Sequence, residues 1–215
     1  MEKQLVEIVF IIDKSGSMQG LEKDTIGGFN SFIENEKKKG ITSLVTTILF
    51  DTNNSFLHQR ESLEKVNPMT ENDYRAFGCT ALLDAMGLAI NYIKEAQEKD
   101  DVDNKPTKTV FVITTDGLEN SSREYSYKQI KNLVNKTQKE LDYEYIFLAA
   151  NIDSFGEAER IGIDNKHTAQ YECNSDGIVK HYKCIQRALD SIISDGCLDE
   201  EWKIEVECTK KKSKK

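Results

Sequence analysis

Five oxygen-bearing residues stand in three separated segments of the chain. Asp13, Ser15 and Ser17 occupy alternate positions after an apolar run, Thr80 precedes a helix-like run, and Asp116 follows a second apolar run. Carboxylate and hydroxyl oxygens are the donors that hard divalent cations favour, so magnesium first, and manganese or calcium as well, could be held where these segments meet. A donor set rich in neutral hydroxyls leaves such an ion electron-poor, and an open coordination position would then attract a carboxylate from another protein. The same side chains also have a local use: Ser17, Thr80 and Asp116 could serve as helix caps or turn acceptors without any metal.

The three segments can converge only if the elements before them lie side by side. Ile8 to Ile12 is continuously apolar, as expected of a strand covered on both faces of a parallel sheet. Gly16 and Gly20 permit a turn, after which Leu21 to Lys39 has the spacing of an amphipathic helix ending at Gly40. Ile41 to Phe50 predicts a second strand, Asp51 to Asn54 a turn, and Ser55 to Leu63 a third strand returning antiparallel at a sheet edge. Ala81 to Lys99 predicts a helix with Leu82, Leu83, Met86, Ile90 and Ile93 on one face and Thr80 as its cap.

Beyond a linker-like stretch, Asp100 to Pro106, Thr109 to Thr115 predicts another strand. Tyr127 to Glu140 predicts a helix, Tyr143 to Ala150 a strand, Phe155 to Ile161 a short helix, His167 to Tyr171 a strand and Asp176 to Ile193 a longer helix. Trp202 to Cys208 alternates apolar and charged residues and predicts a terminal strand. This alternation implies a doubly wound, mostly parallel α/β sheet with one antiparallel edge strand and helices on both faces. Right-handed crossovers then place ligands at the carboxyl ends of the strands. Asp13 and Asp116 both follow strands and Thr80 opens a helix, so one rim can gather all three segments.

Composition narrows the class of partner. The formal net charge of −8 and pI near 5.1 set the surface against nucleic-acid backbones and anionic membranes. The basic tail Lys210, Lys211, Lys212, Lys214 and Lys215 reads as a solvated terminus or a contact for an acidic partner. Cys79, Cys173, Cys184, Cys197 and Cys208 are odd in number and form no C-x-x-C pair, which fits free thiols and a cytoplasmic setting. Val6 to Ile12 is broken by Glu7 and reads as a core strand rather than a signal peptide, and no apolar stretch reaches bilayer length.

The Asp13-x-Ser15-x-Ser17 loop, Thr80 and Asp116, with the order of strands and helices over roughly residues 5 to 195, resemble a von Willebrand factor type A domain and its metal-ion-dependent adhesion site. The resemblance implies a divalent cation bound by Asp13, Ser15, Ser17, Thr80 and Asp116 and completed by an acidic residue of a protein partner. It also implies binding rather than catalysis, and settings such as multiprotein assemblies with AAA-type ATPases or bacterial stress-response operons. Residues 1–195 would form the domain and 196–215 an extension that adds a strand or a partner-binding tail. The helix Asp176 to Ile193 takes the place of the family's switching helix.

Other chemistries fit less well. A haloacid-dehalogenase-type phosphatase would use Asp13 as nucleophile, but its proton donor would stand where Ser15 does, and a serine cannot act as a general acid near neutral pH. No G-x-S-x-G or H-E-x-x-H occurs, His58, His167 and His181 are isolated, and the EF-hand spacing is absent around Asp116. Glu119 and Asn120 could join the shell or serve only a turn, and Asp153 and Ser154 could shape the rim or cap a helix.

Overall fold

The computed structural model of the protein describes residues 5–206. Strand β1, Val6–Asp13, is buried along its whole length. It pairs in parallel with β2, Ser43–Phe50, on one side and β4, Lys108–Thr115, on the other. Beyond β2 lies β3, Asn54–Ser62, the antiparallel edge, and beyond β4 lie β5, Tyr143–Ala149, and β6, Thr168–Gln170, giving the order β3-β2-β1-β4-β5-β6. The doubly wound, mostly parallel sheet is therefore the one the sequence predicts.

Alternation along β1 distributes its side chains to two cores, because successive residues of a strand face opposite sides. Ile8, Phe10 and Ile12 pack toward α1, Glu22–Lys39, and α5, Ser175–Asp195. Val9 and Ile11 pack toward α2, Leu82–Lys99, α3, Tyr127–Leu141, and α4, Ser154–Ile161. Phe10 meets Phe29 and Phe32 edge-on at 5.4 and 5.3 Å, an arrangement that aromatic quadrupoles favour. Local signals set the ends of these helices: Gly40 is left-handed after α1, Ser126 and Gln129 form a capping box before α3, and Asp153 and Asn174 cap α4 and α5.

One predicted element is different. Trp202 to Val206 is not a strand: a 3-10 turn, Glu200–Lys203, capped by Asp199, runs on into helical backbone. Trp202 and Val206, four residues apart, are buried in the α1/α5 core while Ile204 is 41% exposed, a helical face rather than an alternating one. The indole Nε1–H of Trp202 donates to the Lys166 carbonyl at 2.9 Å, tying this turn beside β6. Cys208 and the basic tail lie outside the described residues.

Candidate metal centre at the carboxyl ends of the strands

Parallel register brings the two predicted carboxylates together. Ile12 of β1 stands opposite Thr114 of β4, so Asp13 and Asp116 leave neighbouring strands at the same rim. Asp13 Oδ1 accepts the Ser15 amide at 2.7 Å and its Oδ2 accepts the Thr115 hydroxyl at 2.6 Å. Ser15 Oγ lies 3.0 Å from Ser17 Oγ, and Ser17 Oγ donates to Asp116 Oδ1 at 2.5 Å. Asp13, Ser15, Ser17 and Asp116 thus form one continuous polar chain across residues more than a hundred apart in sequence.

Thr80 reaches this chain by way of main-chain latches. The Gly16 amide donates to the Gly78 carbonyl at 3.0 Å, and the Phe77 amide donates to the Lys14 carbonyl at 2.9 Å. Gly78 has φ +81°, and a Cβ there would meet Thr52 Oγ1 at 2.8 Å, so the latch requires glycine. A Cβ built on Gly117 would meet both Thr80 Oγ1, at 3.2 Å, and Ser17 Oγ, at 3.3 Å, so these hydroxyls converge over a position with no side chain of its own.

Thr80 does not cap α2, contrary to the sequence expectation. The helix begins at Leu82 with Ala81 in the cap position, and Glu119 takes over the orphan amides: its carboxylate accepts Leu83 N–H at 3.0 Å and also holds the amides of Ser121 and Ser122. Asn120 accepts the Thr80 amide at 2.9 Å and donates its own amide to the Thr80 carbonyl. Asn120 therefore orients Thr80, Glu119 holds the start of α2 and the loop that follows it, and Thr80 keeps its hydroxyl for the rim. Asp153 caps α4 through the Gly156 amide.

The site is short of positive charge. Asp13 and Asp116 are 1% and 3% exposed, and neither has an ion-pair partner among the described residues. Burial, opposed by its hydrogen bonds and aided by the charge of Asp116, pushes the Asp13 carboxyl up to about 6. Cys173 Sγ donates to Asp116 Oδ2 at 3.5 Å, and burial followed by the Asp116 charge pushes that thiol up to about 11. Among the described residues no three His, Cys, Asp or Glu side chains cluster as a metal cage, and the oxygens gathered at the rim are two carboxylates and three hydroxyls.

Sequence reasoning did not find Tyr74, whose buried hydroxyl donates to the Asp13 carbonyl at 2.5 Å, or Thr115, which holds Asp13 Oδ2. Thr115 adjoins Asp116 in a strand-end Thr-Thr-Asp, a weak signal, and nothing local marks Tyr74.

No protein-family profile matches the chain, and no curated protein matches it in sequence. Solved structures do resemble it. Proximal thread matrix protein 1 from the mussel byssus is similar with a TM-score of 0.57 and 14% identity, over 91% of this chain and 47% of its own. The PilB minor pilin from Streptococcus sanguinis is similar with a TM-score of 0.59 and 14% identity, over 90% of this chain and 62% of its own. Manganese-loaded TRAP protein of Plasmodium vivax is similar with a TM-score of 0.56 and 16% identity, over 84% of this chain and 74% of its own. This chain thus spans about half the length of the mussel protein. The likeness establishes a von Willebrand factor type A-like fold. Among the described residues no helix is long and apolar enough to cross a membrane.

Proposed function

We propose that this chain is a divalent-cation-dependent protein-binding module. The observation that carries this reading is the pair of buried carboxylates, Asp13 and Asp116, joined through hydroxyls and matched by no basic side chain among the described residues. Asp13, Ser15, Ser17, Thr80 and Asp116 would hold the ion directly or through water, with magnesium preferred and manganese or calcium as substitutes. The cation would supply Lewis acidity toward a Glu or Asp of a partner protein. The manganese carried by the Plasmodium TRAP protein on a similar fold supports the choice of ion. The resemblance points to a multiprotein setting such as an assembly with an AAA-type ATPase, and the free thiols of Cys79, Cys173 and Cys197 favour the cytoplasm.

Binding accounts for this site better than phosphoryl transfer does. Ser15 stands where phosphoryl transfer through Asp13 requires a proton donor, and a serine hydroxyl cannot act as a general acid near neutral pH. Titration calorimetry with magnesium, manganese and calcium tests the proposal. The wild-type chain should bind at least one ion and Asp13→Ala none, while generic phosphoesters are not turned over. A wild-type chain that takes up no divalent ion would refute it.

A further inference from the structure

Six large apolar side chains are well exposed among the described residues: Phe77, Val102, Leu118, Leu141, Val179 and Ile204. Two of them, Phe77 at 79% and Leu118 at 54%, lie on the very loops that present Thr80 and Asp116. Phe77 is three residues before Thr80, and Leu118 is two residues after Asp116.

Neither belongs to a loose loop. Phe77 is pinned by its amide to the Lys14 carbonyl. Leu118 is held between Gly117, whose amide donates to Thr115 Oγ1, and Glu119, whose carboxylate binds α2 and the amides that follow it. Fixed backbone with a solvent-facing apolar side chain is the form of a prepared contact, since little ordering entropy remains to be lost on binding.

We infer that Phe77 and Leu118 are the apolar arms of a docking surface for an extended segment of another protein, one that carries a Glu or Asp flanked by aliphatic or aromatic residues. The acid addresses the cation site, and the flanking side chains cover Phe77 and Leu118. The net charge of −8 opposes a membrane as the occupant, and a carboxylate approaching the uncompensated Asp13 and Asp116 needs a cation between them, so recognition is conditional on metal. This inference rests on the cation reading above and adds the class of partner.

The test uses a displayed peptide library with a fixed central Glu and about four randomised positions on either side, selected in manganese and in chelator. Calorimetry with manganese alone is run beside it on wild type, Phe77→Ser/Leu118→Ser and Asp13→Ala. Manganese-dependent peptides should be enriched in apolar residues near the Glu. The double variant should bind the best synthetic peptide about tenfold or more weakly, with its manganese affinity unchanged. Peptides without apolar enrichment, a smaller loss, or no enrichment from a chain that does bind manganese each overturn the docking surface and leave the cation reading standing. A wild-type chain that fails to bind manganese, magnesium or calcium ends both, and calorimetry alone distinguishes that case.

Discussion

Strand β1 carries a buried acid near each end, and the two are treated differently. Glu7, at the start, is fully buried, and burial raises its pKa above the ordinary carboxylate value. Arg60 answers it with bonds at 2.7 and 3.3 Å and also clamps Asp100, while Gln97 donates at 2.7 Å. Burial alone would weaken the Arg60 charge, but its bonds to Asp100 and Glu7 more than offset this. To reach that position Arg60 adopts φ +48° beside a register irregularity in β3. Asp13, at the other end, meets only hydroxyls and amides among the described residues. The chain thus supplies its own cation where it needs structure and withholds one where, on our proposal, it needs a ligand.

Substitutions can break this contrast. The largest effect on folding is expected at the lower end: Arg60→Met leaves Glu7 buried without its countercharge and should cost about 3 kcal/mol in denaturant unfolding. Asp13→Asn, measured without metal, should change stability by less than about 1 kcal/mol or raise it, because the fold already disfavours ionised Asp13. Equal losses at both ends would show that the upper acid is structural too.

Cation binding sharpens the same contrast. Asp116→Ala should weaken manganese binding by about 100-fold, near 2.7 kcal/mol, whereas Arg60→Met should leave the affinity of the folded fraction unchanged in calorimetry. Next in size is a pH effect behind the upper rim. His181 is stacked on Tyr171 at 4.8 Å with neither ring nitrogen hydrogen-bonded among the described residues, and burial pushes it down to about 3. The unfolded chain takes up that proton near 6.5 and the folded chain does not. The contribution of His181 to stability should therefore fall by roughly 2 kcal/mol between pH 7 and pH 5, partly offset by Asp13, whose raised carboxyl takes up its proton in the folded state over the same range, and His181→Phe should remove the His181 part in acid unfolding curves. The smallest change is Glu119→Ala, which removes the acceptor at the start of α2. It should cost about 1 kcal/mol in thermal unfolding and reduce manganese affinity far less than Asp116→Ala does.

The upper rim was more legible in the sequence than the lower one for a physical reason. Asp13, Ser15 and Ser17 share one loop, Asp116 ends a recognisable strand, and parallel pairing of β1 with β4 follows from continuous apolar runs. The Glu7–Arg60 pair depends on a β3 irregularity that no local pattern announces. Thr80 looked like a cap because its real neighbours, Glu119 and Asn120, lie about forty residues away. Glu201, Lys203 and Glu205 mimic the charge alternation of a strand, yet the demand of Trp202 for the α1/α5 core wins and the segment coils.

The bonds between Gly16 and Gly78 and between Lys14 and Phe77 join amide to carbonyl and are indifferent to what either neighbouring residue displays. On our proposal, recognition could therefore be rewritten at Phe77 and Cys79, through sequence drift or a deliberate library, without disturbing the arrangement of Asp13, Ser15, Ser17, Thr80 and Asp116.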